Sequence, residues 1–338
     1  LQLDQGGLAN KAMMALLLQV VQVAQVESHQ AGFIPQHIAN LLWALAKLVE
    51  NGLLKLDQGD LANEALKALL PQVVQVASHQ VGFKPQEIAN LLWAIAFLGE
   101  GIELQIIEKI LHTLSLSGSY STDVQTQLLW SFMVFMARNI SMNDRLKSLM
   151  KSWYDALAKQ KMDEQLAGML SMAALWLELE ANVNPEYKTR TSCLQDTFKQ
   201  RLIRRYPNLE VHAEHSRNRL PPVDLYLPGL GLAIEIQGPH HYISDQSLKK
   251  TGRTILKVET YKKAGIEVIE VSYKDIDSEH LAWVWWILSE KTSVNYEPQS
   301  SDSPDDDSYP TENEGRDESV TVGRVGHKLS RFFSHQIS

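Results

Sequence analysis

The front of this chain carries the same block twice. Phe33-Ile34-Pro35-Gln36-His37-Ile38-Ala39-Asn40-Leu41-Leu42-Trp43-Ala44-Leu45-Ala46 returns as Phe83-Lys84-Pro85-Gln86-Glu87-Ile88-Ala89-Asn90-Leu91-Leu92-Trp93-Ala94-Ile95-Ala96, with 11 of 14 positions identical at an offset of 50. Ser28-His29-Gln30 returns as Ser78-His79-Gln80 at the same offset. Leu3-Asp4-Gln5-Gly6 returns as Leu56-Asp57-Gln58-Gly59 at an offset of 53, so the first copy carries three extra residues near Gln25. A unit of that length cannot bury its own apolar face. Stacked copies bury each other's, which predicts a helical solenoid with a long presenting surface.

Each unit reads as two helices. The first runs from about Leu8 to Val26, with Leu8, Ala12, Leu16, Val20 and Val23 at helical spacing. The second starts at Pro35, whose missing N–H costs nothing in a first turn, and stops at Asn51-Gly52. A decayed third unit follows: Leu128-Leu129-Trp130 lies 37 residues beyond Leu91-Leu92-Trp93, and Tyr120 takes the place of Phe83. Leu175-Trp176 hints at a fourth. Residues 1–185 are therefore expected to be one α-solenoid. Because the sequence opens inside a unit and without Met, further repeats are expected upstream.

The pattern changes at Asn184-Pro185, and a separately folding α/β domain is expected over residues 191–291. Leu194 to Tyr206 reads as a helix with a basic face of Lys199, Arg201, Arg204 and Arg205. Val223-Asp224-Leu225-Tyr226-Leu227 alternates, Pro228-Gly229-Leu230-Gly231 turns, and Leu232 to Gln237 returns as the second strand of a hairpin. A basic helix is expected from Ser247 to Ala264, a buried strand from Ile266 to Tyr273 and a Trp-rich helix from Asp277 to Lys291. Residues 292–338 begin with a run of Ser, Asp, Glu and Pro and are expected to be a disordered acidic tail. Its end, Gly323 to Ile337, is basic and aromatic.

Charge excludes a globally basic nucleic-acid binder. Residues 1–190 hold 14 Lys/Arg against 18 Asp/Glu, net −4; residues 191–291 hold 14 against 13, net +1; the remainder hold 4 against 9, net −5. Any nucleic-acid contact must be local. A single cysteine, Cys193, excludes an internal disulfide and fits a reducing compartment. No apolar stretch reaches the ~20 residues a membrane span needs.

Two groups of residues carry candidate chemistry. On the hairpin, strand alternation puts Glu235 and Gln237 on one face and brings Asp224 beside Glu235. Two carboxylates and an amide suit Mg²⁺ or Mn²⁺, and a solvated strand face explains them too. Gly238-Pro239 then delivers His240, His241 and Tyr242 to the strand's rim. His241 there serves proton transfer or phosphate contact, or is merely exposed. Lys249, Lys250, Arg253 and Lys257 follow at helical positions and either grip a phosphate or form a solvated face. In the repeats, Gln36, Asn40 and Trp43 lie on one helical stripe, copied by Gln86, Asn90 and Trp93. The amides read base edges or form a structural ladder, and the indoles stack on bases or fill the core.

Residues 191–291 resemble a RAP domain. The resemblance rests on Leu194-Gln195, on Val223-Asp224-Leu225-Tyr226-Leu227-Pro228, and on Ala233-Ile234-Glu235-Ile236-Gln237-Gly238-Pro239-His240-His241-Tyr242. It continues through Gly252 and Lys257 to Gly265-Ile266-Glu267-Val268-Ile269 and Val271-Ser272-Tyr273. RAP domains are associated with RNA binding and RNA processing in organelles, resemble the very-short-patch-repair-like branch of PD-(D/E)xK nucleases, and commonly follow a helical repeat array. The repeats here are similar to octotricopeptide repeats, with a longer spacing. The resemblance implies that Asp224 and Glu235 hold the acidic metal positions, and that Gln195 or Glu214 adds a polar ligand. Gln237 stands where that fold often has Lys and many RAP domains have Asp. Gln can neither act as a general base nor supply charge. The expectation is therefore a protein that binds single-stranded RNA, with Arg204 and Arg205 among its backbone contacts. A divalent-metal-dependent endoribonuclease and a protein–protein scaffold are the alternatives.

Overall fold

The computed structural model describes residues 5–25, 34–78, 83–113, 120–181, 183–189, 191–276 and 281–292. The tail beyond Thr292, and Ser28-His29-Gln30, lie outside them. Among the described residues the chain is mostly helical, with eleven α-helices and one small four-stranded sheet.

The repeats stack as two layers. α2 (Pro35–Glu50), α4 (Pro85–Leu98), α6 (Thr122–Ala137) and α8 (Glu164–Trp176) pack in succession. α1 (Gln5–Gln25), α3 (Leu61–Ser78) and α5 (Leu104–Thr113) stack beside them, while α7 (Asp144–Leu157) packs on α6 and α8. Proline opens α2 and α4, as expected. Gly52 follows α2 at a φ of 69°, a turn only glycine makes without strain. Asn143 and Asp163 cap α7 and α8 by accepting from the N–H groups of Leu146 (2.9 Å) and Leu166 (2.8 Å). Ile38, Ala39, Leu42 and Ala46 of one unit, and Ile88, Ala89, Leu92 and Ala96 of the next, lie in one apolar core.

α9 (Cys193–Arg205) opens on Ser192, whose hydroxyl accepts from the Gln195 N–H. The sheet runs in the order β1 (His212–His215), β2 (Val223–Leu227), β3 (Leu232–Gln237), β4 (Glu267–Ser272). The first three strands are antiparallel, and β4 lies parallel to β3 after crossing over through α10 (Gly252–Lys263). Leu225, Leu227, Ile234 and Ile236 pack with α9 and with α11 (Ala282–Thr292). On the other side Tyr226 and Ala233 pack with Tyr261 of α10. Both faces are therefore covered. Every residue of β2 and β3 is buried, including those whose alternation suggested a solvated face. Three further differences follow from position. β1 carries no apolar alternation and is missed by periodicity. β4 is an edge strand and only half buried. The basic helix starts at Gly252, so Lys249 and Lys250 sit in the preceding turn, with Lys250 bridged to Tyr242.

Residues 183–189, where a boundary was expected, have no regular structure. Across that connection the apolar core nevertheless continues: Ile243, Ile255 and Leu256 belong to the same cluster as the repeat helices. α10 packs on α4, α6 and α8, and the described residues fall in one compact unit. The tightest point is Gly252, where an added Cβ would lie 1.9 Å from the Ala96 carbonyl oxygen. Gly252→Ala is expected to cost about 3 kcal/mol through overpacking against backbone. Gly229→Ala, with nothing within 4 Å, is expected to leave the unfolding midpoint unchanged. Thermal unfolding of the two variants side by side checks this.

Candidate functional site

The sheet lines up acidic side chains across all four strands. Glu214 on β1 stands opposite Asp224, between the paired positions Ala213↔Leu225 and His215↔Val223. One step beyond Leu225↔Ile234, Asp224 stands opposite Glu235, and Glu235 pairs in turn with Glu270 on β4. Cross-strand neighbours share a face, so the row would repel itself without counter-charges. Lys257 from α10 places its ammonium 2.8 Å from Glu235 Oε1 and 4.0 Å from Asp224 Oδ1. Lys250 Nζ donates to Glu270 Oε1 at 2.7 Å.

Asp224 is further held by the Gln195 amide, which donates to Oδ1 at 2.5 Å, and by the Ile236 N–H, which donates to Oδ2 at 2.6 Å. Gln237 turns its Nε2 to Glu270 Oε2 at 3.2 Å, leaving its carbonyl oxygen buried with no hydrogen bond. Burial raises the Glu235 carboxyl to about 7, against the pull of Lys257. Burial and the neighbouring Asp224 raise that of Glu214. Burial pushes the Lys257 ammonium down, but Glu235 and Asp224 push it up further, so it stays charged.

These residues do not fit the divalent cation expected between Asp224 and Glu235. The Lys257 ammonium already stands between the two carboxylates, and both Asp224 oxygens are engaged. A metal ion would enter against a like charge in a buried place. Among the described residues, no group of three or more His, Cys, Asp or Glu side chains is placed to hold a metal ion. Lys257, whose helical position suits either a phosphate grip or a solvated face, instead points its charge inward, with 26% of its side chain exposed.

The histidine loop beside this row is fixed from the repeat side. Lys55 Nζ donates to the carbonyls of Pro239 (2.7 Å) and Tyr242 (2.8 Å) and pairs with Asp245 at 3.1 Å. The Leu56 N–H donates to the Ile243 carbonyl at 2.7 Å. Asp57 Oδ1 accepts from Ser244 Oγ (2.5 Å) and the Gln246 N–H (2.9 Å). The repeated Leu-Asp-Gln-Gly motif, read in the sequence only as a repeat marker, is thus part of the clamp. His240 is exposed, with its ring against Gly52. His241 is half-buried, with Nδ1 3.2 Å from Thr254 Oγ1.

The repeat helices bring their own candidates together. Gln36, Asn40 and Gln86 are exposed, and Asn90 is half-buried. Gln86 Nε2 donates to Asn90 Oδ1 (2.9 Å) and to Gln127 Oε1 (3.2 Å) on α6. Gln127 lies three residues before Trp130, as Asn90 does before Trp93, so the amide row extends into the decayed unit. The indoles divide. Trp93 stacks on Phe97 at 5.4 Å, has Lys47 Nζ 4.4 Å from its centroid and lies 6.2 Å from Trp130, so its faces are occupied. Trp43 is 37% exposed, with Lys47 5.8 Å from its centroid. On α2 the stripe Gln36, Asn40, Trp43, Lys47, Glu50 runs the length of the helix. It ends where Glu50 Oε1 meets Arg253 Nη2 of α10 at 2.7 Å.

The basic candidates do not form one patch. Lys250 is spent on Glu270 and Lys257 on Glu235, and Lys249 is exposed in the turn before α10. Arg204 and Arg205 are exposed at the end of α9, which packs on the side of the sheet away from α10; Arg205 lies 5.7 Å from the Trp285 ring centre.

Burial holds the His241 imidazole down at about 4, with Lys257 adding to the push and Asp224 opposing it. The unfolded chain takes that proton near 6.5. Between the two values only the unfolded state binds it, so this group makes stability fall as pH drops from 6.5 to about 4. Glu235 has the opposite sign: its folded state holds a proton from about 7 downward, so it adds stability as pH falls toward 4.5. His241→Gln removes only the first effect. The variant is expected to gain on the wild type by up to about 3 kcal/mol between pH 7 and pH 4. Denaturant unfolding of both proteins at the two pH values reads that difference.

No protein-family model matches the chain, and no curated protein matches it.

Proposed function

We propose that this chain is an RNA-binding protein acting in RNA processing or stability. Its helical array holds single-stranded RNA, and its α/β segment, of RAP type with a PD-(D/E)xK-like sheet, contacts the backbone. The carrying observation is the α2 stripe. Two amides, an exposed indole and a lysine follow one another at helical spacing and lead to Arg253 on the second segment. Amides recognise base edges, an indole stacks on any base, and the two cations meet phosphate. The overall negative charge is compatible with this, since the contact is a narrow track rather than a basic surface.

The acidic row is read as a structural and positioning element. Its carboxylates are met by Lys257, Lys250, Gln195 and a backbone N–H, so a metal ion would have to displace groups already in place. The PD-(D/E)xK-like reading is supported by the hairpin that brings Asp224 beside Glu235 and by the crossover helix that returns β4 parallel to β3. Cleavage is not part of the proposal.

Two expected outcomes test it. Trp43→Ala should weaken binding of a single-stranded RNA by about tenfold, within the ~1–3 kcal/mol a stacked base contributes. Trp93→Ala should instead lower the unfolding temperature, because that ring fills the array. Fluorescence anisotropy and thermal unfolding on both variants separate the roles. Equal affinity of Trp43→Ala and wild type would remove the indole from the interface.

Asn40→Ala combined with Asn90→Ala should change which RNA is selected more than how tightly RNA in general is held. Selection from a random RNA pool reads the first quantity, and binding of a homopolymer the second. The protein with Mn²⁺ should leave bound RNA intact. Cleavage abolished by Asp224→Asn or Glu235→Gln would replace this reading with the endoribonuclease. Absence of any RNA crosslink would favour the scaffold.

A further inference from the structure

Glu50 is the one acid of the α2 stripe, and it sits at the join of the two segments. Its carboxylate accepts from Lys47 Nζ at 2.6 Å through Oε2 and from Arg253 Nη2 at 2.7 Å through Oε1. Only 19% of the Glu50 side chain is exposed, against 37% for Lys47 and 69% for Arg253. Two cations from different segments therefore converge on one anion at the edge of the track, with the Lys47 ammonium also lying between two indoles.

We propose that Lys47 and Arg253 form a phosphate subsite for the RNA backbone, and that Glu50 is a resident stand-in for that phosphate. The proposal rests on the RNA-binding reading and adds to it the role of Glu50, which occupies the two cations until a phosphate displaces it. The chemistry is anion exchange. A phosphodiester offers two oxygens, as a carboxylate does, to a guanidinium and an ammonium. Arg253 is exposed and Lys47 partly so, and pairs open to solvent on one side are each worth about 1 kcal/mol, so a phosphate tethered by neighbouring base contacts displaces the carboxylate. No proton or covalent bond changes hands. While Glu50 is in place it also joins α2 to α10, so RNA entering the subsite exchanges a contact between segments for a contact with both.

Removing the competitor should expose the subsite. Glu50→Gln is nearly isosteric and is expected to bind a single-stranded RNA about tenfold more tightly than wild type, the combined effect of releasing two ion pairs at the rim. The slope of log affinity against log salt is expected to steepen by about 0.7 per phosphate gained. Arg253→Gln, at an exposed position, is expected to bind more weakly and with a shallower slope. The measurement is anisotropy with one labelled oligonucleotide over a salt series, on wild type and both variants, with thermal unfolding alongside.

Wild type that binds RNA while Glu50→Gln binds no tighter and with an equal slope, at an unchanged unfolding temperature, overturns the subsite and leaves the RNA reading standing. Should Glu50→Gln be unstable, unchanged affinity and slope in Arg253→Gln overturn it instead. RNA binding absent from wild type and from both variants overturns the RNA reading and the subsite together. Binding that appears only in Glu50→Gln supports the subsite directly.

Discussion

Most of what this molecule can do depends on where α10 is allowed to lie. The backbone of Gly252 rests against the Ala96 carbonyl, leaving no room for a side chain. That contact brings the start of α10 against the end of α4, while Tyr261 farther along packs on the sheet. One helix thus serves as the roof of the acidic row and as a member of the repeat core. The geometry of Lys257 follows. Its ammonium reaches Glu235 only because the helix is held at that depth. Arg253, one turn earlier, emerges at the rim beside Glu50. A slack helix would leave four carboxylates on one sheet face with a poorly placed counter-charge, at a cost several-fold above that of an exposed pair.

The elements with strong local signals were legible in the sequence. The repeat at an offset of 50, the prolines opening α2 and α4, and the turn at Gly229-Leu230 each act within a few residues, and each appears where expected. Asp224 and Glu235 were paired correctly because hairpin register is a local property. Contacts that depend on three-dimensional proximity were not legible. Glu270 lies 35 residues beyond Glu235 and joins the row only through a parallel crossover. Lys257 looked like one basic residue among several, since nothing in a helical stripe tells which lysine turns inward. The four residues of β1, half-buried at the edge of the sheet, carry no alternation to find. The role of Asp57 was hidden for another reason: a motif that recurs invites explanation by the repeat, whereas its contacts reach a loop far along the chain.

The two candidate regions differ in what solvent sees of them. The acidic row is internal, with Lys257 and Lys250 as its counter-charges, and its perturbed carboxyls follow from burial. The α2 stripe is external: Gln36, Asn40 and Trp43 are exposed, and its charges pair with one another at the rim. Perturbed titration marks functional sites only in probability, because structural ion pairs perturb titration too. Here the chemically conspicuous residues form the support and the plainer ones form the surface. The apolar contacts of the Trp93 ring show the same division within one repeated position. Identical residues at 43 and 93 meet different neighbours, and of the two only Trp43 is exposed.

The clamp made by Lys55, Leu56 and Asp57 has a consequence for how such an array can change over time. Repeat proteins lengthen by duplicating a unit, and nearest-neighbour stacking tolerates the new copy wherever the two faces match. In this chain the loop between α2 and α3 is tied to the histidine loop, and α4, α6 and α8 are tied to α10. A unit inserted anywhere between them would shift one anchor by a full repeat while leaving the others in place. A unit added on the α1 side of α2 disturbs none of them. The α/β segment therefore acts as a fixed terminus that sets a direction for growth, and variation in repeat number can accumulate at one end of the array alone.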